Sequence, residues 1–184
     1  MEFDNRLSLI KPNILQSCSL KLIELNTKMI FVQPNQDITT VLEMAVINMF
    51  MRHAGVFITV YADDNRINQI KTDIKAYLEK SQGRKIECKG TLMYEEVKFP
   101  TSYRTTICFI SNKTMLNPGS MFGSALFIDD INTMPTGMFF THVQPFILNP
   151  VARVYAFNSS VLEHSAPVRF MLTNSGVALF TYRI

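Results

Sequence analysis

Cysteine is scarce in this chain, with three among 184 residues. Cys18, Cys88 and Cys108 are far apart, odd in number and in no Cys-x-x-Cys spacing, which argues against both a zinc site and a secreted disulfide framework. A reducing compartment is the expectation. Met1-Glu2-Phe3-Asp4-Asn5-Arg6 lacks the basic segment and apolar run of a secretory signal. No stretch supplies the ~18 uncharged apolar residues of a membrane span, so a soluble protein with no membrane partner is expected. Neither sign of charge dominates: 18 Lys and Arg against 15 Asp and Glu leave a net charge of +3. That gives mild attraction to polyanions but not the basic stripe of a nucleic-acid binder. Repeats, low-complexity tracts and dividing linkers are also missing. With 47% hydrophobic residues, the chain can bury one substantial core and not two, so a single domain over 1–184 is expected.

What is present is an alternation of apolar strands and helices. Residues 1–27 read as a helical segment interrupted at Pro12, and Lys28 to Gln33 as a short buried strand stopped by Pro34. Thr39 to His53 is apolar nearly all round, through Val41, Leu42, Met44, Ala45, Val46, Ile47, Met49, Phe50 and Met51, which predicts a helix buried on most sides. Val56 to Ala62 is another strand. Asp63-Asp64 can then cap a helix in which Ile67, Ile70, Ile74 and Tyr77 recur at three- and four-residue steps. This is the rhythm of a parallel sheet with crossover helices. Lys85 to Cys88 and Thr91 to Lys98 suggest a strand pair, and Thr105 to Ser111, Ser124 to Asp129 and Arg153 to Phe157 further strands. Val168 to Thr173 and Val177 to Arg183, around Asn174-Ser175-Gly176, read as a hairpin or two short edge strands. The expected layout is a core over 28–165 followed by C-terminal strands over 166–184. In open parallel sheets the ligand crevice lies beyond the carboxyl ends of the strands. Asn35 to Thr40, Asp129-Asp130 and Asn158 to Ser160 are therefore expected to converge on one edge.

The segment Phe31-Val32-Gln33-Pro34-Asn35-Gln36-Asp37-Ile38-Thr39-Thr40 has the surroundings of a phosphate-gripping loop, a strand leading into a buried helix. Its chemistry differs. Such a loop uses glycine to bring the backbone round phosphate oxygens, and a lysine followed by Ser or Thr to neutralise them and hold magnesium. Only the Thr is kept. Leu126-Phe127-Ile128-Asp129-Asp130-Ile131-Asn132 is an aliphatic strand ending in two acids, and Ala152 to Ser160 is another strand ending in Asn158-Ser159-Ser160.

Taken in order, these segments resemble the ATPase domain of the herpesvirus-type large terminase subunit, related to tailed-phage terminases, the motor that drives viral DNA into capsids. The resemblance runs from about Met29 to the end. It implies an α/β fold: a RecA-like, P-loop NTPase-type three-layer sandwich with a mostly parallel central sheet and a small C-terminal β-hairpin, with no nuclease domain following. Pro34 matches the family's first motif, Asn35 and Gln36 stand for its two arginines, and Ile38-Thr39-Thr40 replaces Gly-Lys-Thr. The resemblance assigns magnesium ligation to Thr40 and Asp129. It makes Asp130 a shortened, vestigial form of the acid that polarises the attacking water. Arg153 stands for the Lys that leads the coupling motif, and Asn158, Ser159 and Ser160 for its end.

The missing lysine removes a charge whose pairing with phosphate at 4 Å is worth roughly 4 kcal/mol at an effective dielectric of about 20. Ile38 adds a branched side chain where the backbone must approach the ligand, and Asp37 adds a negative charge beside an anion. Asn117-Pro118-Gly119-Ser120 has no arginine to stabilise transferred charge. Asn35, Gln36, Asp37, Ile38, Thr39 and Thr40 thus form a degenerate phosphate loop. The competing readings are an ordinary helix-start hydroxyl for Thr40 and a helix-capping carboxylate for Asp129 and Asp130.

The expectation is a catalytically silent relative of a terminase motor, a structural or regulatory subunit in DNA packaging. No cofactor is expected, with ATP and magnesium only if activity is retained. The implied partners are other packaging or capsid proteins, weakly held double-stranded DNA, and further copies in an oligomer, at the host nucleus or virion-assembly site. One alternative is an active ATPase subunit completed by a partner, and another is an unrelated α/β protein-interaction domain. Other candidates carry less. His53, His142 and His164 show no zinc spacing, Glu95-Glu96 on a strand point to opposite faces, and Ser159-Ser160 lacks a nucleophile-elbow context. Lys71, Lys75, Lys80, Arg84, Lys85 and Lys89 read as a solvated face.

Overall fold

In a computed structural model, the described residues are 14–32, 38–52, 56–82, 88–90, 95–98, 106–113, 125–158, 165–174 and 176–181. Four strands form where the sequence is almost wholly apolar: β1 (Lys28–Val32), β2 (Phe57–Tyr61), β6 (Ala125–Ile128) and β7 (Arg153–Asn158). Every residue of β1 and β6 is buried. Near-continuous apolar runs of this kind belong to strands covered on both faces. With β3 (Cys88–Gly90), β4 (Glu95–Lys98), β5 (Thr106–Ile110) and β8 (Ala178–Thr181) they make one eight-stranded sheet, ordered β3-β4-β5-β2-β6-β7-β1-β8. The six strands from β5 to β8 in that order pair in parallel, and β3 and β4 add an antiparallel edge.

The alternation of side chains divides the core into two layers. Met29, Phe31, Ile58, Val60, Phe127, Tyr155 and Phe157 face α1 (Ile14–Leu25), α2 (Ile38–Arg52) and α3 (Ile67–Gln82). Ile30, Val32, Leu126, Ile128, Val154 and Ala156 face the segment between β6 and β7, together with α6 (Ala166–Thr173). The result is a three-layer helix–sheet–helix sandwich. The segment after β6 comprises a 3₁₀ turn (Ile131–Thr133), α4 (Thr136–Met138), a π-helical turn (Phe139–Val143) and α5 (Gln144–Leu148). The π turn, closed by Gln144 N–H donating to Phe139 O, immediately precedes Pro145. Proline has no N–H to donate and its ring crowds the carbonyl four residues back, and a widened turn relieves both effects.

The mostly parallel α/β sandwich is as expected, but the C-terminal hairpin is not. Val168 to Thr173 is helical. Ser165 caps α6 by accepting a hydrogen bond from Val168 N (3.4 Å), Pro167 lies in the first turn where its missing N–H costs nothing, and Val168 and Met171 bury one face. Among the described residues one strand follows, β8, and it pairs in parallel with β1 rather than folding back on a neighbouring strand. The expected strand ends at 85–87 and 91–94, and Pro12, lie outside the described residues.

Candidate functional site

Strand order sets the ends of β6, β7 and β1 side by side. β6, β7 and β1 are consecutive, parallel neighbours, with Ile128 opposite Ala156 and Val32 opposite Asn158. Asp129-Asp130, Asn158 and the chain leaving Val32 therefore emerge from one edge of the sheet, at its carboxyl ends. Asn35, Gln36, Asp37, Ser159 and Ser160 lie outside the described residues. Ile38, Thr39 and Thr40 open α2, and their side chains and that of Asn158 also fall outside the description.

The two acids have different surroundings. The Asp129 N–H donates to Tyr61 O (2.9 Å), extending the β2–β6 ladder by one residue. Its carboxylate is 7% exposed and meets the Arg66 guanidinium, with Nε donating to Oδ2 at 3.2 Å. Asp130 turns the chain into the 3₁₀ turn. Its Oδ1 accepts from Asn132 N (3.0 Å), and its carbonyl accepts from Thr133 N (3.0 Å) and Thr133 Oγ1 (2.7 Å). Asp130 is thus a cap, while Asp129 is one half of an ion pair.

Arg66 is a residue the sequence reading passed over. It is presented by the turn between β2 and α3, where Asp63 Oδ1 accepts from Asn65 N (2.8 Å) and Arg66 N (3.1 Å). Asp64 Oδ1 accepts from Lys113 N (3.3 Å), tying that turn to the end of β5. The expected capping role of Asp63-Asp64 was visible in sequence; that β2 lies beside β6 was not, and only this adjacency brings Arg66 to Asp129. Tyr61 is a second such residue. Its hydroxyl contacts Asn112 Oδ1 and lies 3.4 Å from Thr133 O, linking the turns after β5 and β6. Burial, reinforced by the negative charges of Asp63 and Asp64, pushes this phenol from 10.0 up to about 12, against the opposing pull of its hydrogen bonds.

Among the described residues, no three His, Cys, Asp or Glu side chains gather as a metal-binding group. No helix there is long and apolar enough to cross a membrane. His142 lies half-buried in the π turn; His53 and His164 are outside the described residues.

The six-stranded parallel sheet and its two helical layers define the RecA-like class. The sequence matches no protein-family model and no curated protein. Among solved structures, the likeness is to large-terminase ATPase domains of phages. A mutant of the ATPase domain of the Thermus phage P74-26 large terminase superposes with a TM-score of 0.72 at 11% identity, over 96% of this chain and 83% of that one. Another structure of that domain gives 0.70 at 10% identity, over 95% and 82%. The large terminase of a second thermophilic bacteriophage, in complex with ADP, gives 0.61 at 11% identity, and there 93% of this chain covers 45% of the longer protein. This chain has the RecA-like fold of phage large-terminase ATPase domains.

Proposed function

We propose that this chain is a terminase-like domain of a viral DNA-packaging machine that is catalytically silent and acts as a structural or regulatory subunit. The fold, matched over almost the whole chain, supports the packaging role. The observation that carries the silent part is the state of the crevice acids: Asp129 is held by Arg66, and Asp130 caps the turn that follows it. A magnesium ion in this fold needs a carboxylate free to meet it, and a guanidinium beside Asp129 repels a dication. The loop sequence adds to this, since Ile38-Thr39-Thr40 offers phosphate no lysine and no glycine. No nucleotide cofactor is proposed. The partners are other packaging or capsid proteins, and the net charge of +3 suits a weak, salt-sensitive contact with double-stranded DNA.

A second reading is favoured by the convergence of β6, β7 and β1: the crevice is kept, and a neighbouring subunit supplies the missing cation to complete an ATPase. Isothermal titration with a non-hydrolysable ATP analogue and magnesium separates the two. The silent reading expects no saturable heat at millimolar nucleotide and no hydrolysis above blank, alone or with packaging partners. Normal turnover abolished by Asp129→Ala would remove it.

A further inference from the structure

A buried carboxylate needs a counter-charge, because desolvation of an unpaired anion costs several kcal/mol. In an ATPase crevice a divalent cation near the phosphates can serve that need. Here the counter-charge comes from within the chain. We propose that Arg66 is a built-in cation substitute: its guanidinium stands beside Asp129 in place of a divalent metal ion and so excludes metals from the crevice. The inference rests on the silent reading of the same crevice and deepens it by naming the residue that keeps the metal out.

Three features of the geometry support a designed placement rather than an incidental surface pair. Both partners hang from adjacent strands in fixed register, Tyr61 opposite Ile128, with the Asp129 N–H anchored on Tyr61 O. The turn that delivers Arg66 is closed by Asp63, whose carbonyl accepts from Arg66 N (3.1 Å) and Ile67 N (3.0 Å) in addition to the bonds at its carboxylate. Ile70, Ile74 and Leu78, fully buried in the core, then hold α3 against the sheet. The exposures are also unequal. Asp129 is 7% exposed and Arg66 48%, so the acid depends on the arginine far more than the arginine depends on the acid.

The chemistry points the same way. A guanidinium presents a rigid fork of N–H donors that suits a carboxylate. A metal entering here would have to displace it and then remain beside the stranded positive charge.

Manganese is the probe, titrated without nucleotide and followed by the electron paramagnetic resonance of the free ion. Wild type is expected to show no saturable site at millimolar metal. Arg66→Ala, checked for intact fold by circular dichroism, is expected to bind Mn²⁺ at least about tenfold more tightly. Arg66→Lys, which keeps the cation, is expected to stay at the wild-type level, and adding Asp129→Asn to Arg66→Ala is expected to remove the gain. A saturable, Asp129-dependent Mn²⁺ site in the wild type, or no gain in a folded Arg66→Ala, would overturn the proposal. A readout independent of that variant's folding is the Arg66 Nε–H in the wild type. Its solvent exchange is expected to be at least about tenfold slower than in free arginine, and to speed up in Asp129→Asn. Exchange as fast as in free arginine would also overturn the proposal. An Asp129-dependent Mn²⁺ site in a wild type that does not hydrolyse ATP would end this proposal and leave the silent reading standing, whereas ATP hydrolysis by the wild type would end both, so the two failures are distinguishable.

Discussion

Two tyrosines hold positions that an aliphatic side chain could not. Tyr155 is buried in β7 with its hydroxyl within 2.9 Å of Ile23 O and 2.8 Å of Asn26 O, so it ties the end of α1 to the sheet. Its ring packs on Phe127 with centroids 5.0 Å apart. Removing the hydroxyl strands the buried Ile23 carbonyl, so Tyr155→Phe is expected to lower stability by about 1–3 kcal/mol in urea unfolding. Burial pushes both Tyr155 and Tyr61 from 10.0 to about 12. The folded chain therefore keeps these protons after the unfolded chain has lost them. The stability they contribute is complete below pH 10 and is lost as pH rises through about 12. A denaturation series over that window is expected to show the loss, with tyrosinate absorbance for these two residues rising late. An unfolding free energy that stays flat across the window would contradict the burial. Sequence shows where these tyrosines are but not the carbonyls they meet, because the partners lie 129 and 132 residues away for Tyr155.

At the scale of elements, strands were legible wherever burial on both faces left the sequence no polar positions, as in Ala125–Ile128. α3 was legible for the opposite reason: one face is apolar and the other charged, and a capping acid precedes it. α6 was misread because Val168, Phe170, Met171 and Leu172 mix branched, aromatic and flexible apolar side chains, a composition that suits a strand as well as a helix. The deciding signal was short and local, the Ser165-Ala166-Pro167 start. Ser165→Ala is expected to cost about 0.5–1 kcal/mol, the low end for a cap, because the bond is long at 3.4 Å. Met171→Ala, which empties a fully buried position, is expected to cost about 2–5 kcal/mol by the same measurement. If Met171→Ala proves neutral, the packing of α6 on the sheet described above is wrong.

Across the whole molecule, the sheet order sets both stability and site. β2 and β6 lie at the centre with strands on both sides, while β3 and β8 are edges. Amides of β2 and β6 are expected to exchange with solvent only by global unfolding, and those of β3 and β8 earlier. Equal protection across the eight strands would contradict this order. The emergence of Asp129, Asn158 and the chain beyond Val32 at one edge follows from β6, β7 and β1 being neighbours, although the chain visits them far apart in sequence. By itself, the sequence determined the class of fold, because apolar periodicity is a local property. Only the tertiary structure decided that Asp129 meets Arg66, because that contact depends on which strands lie side by side, and β2 and β6 are paired by the packing of the entire sheet.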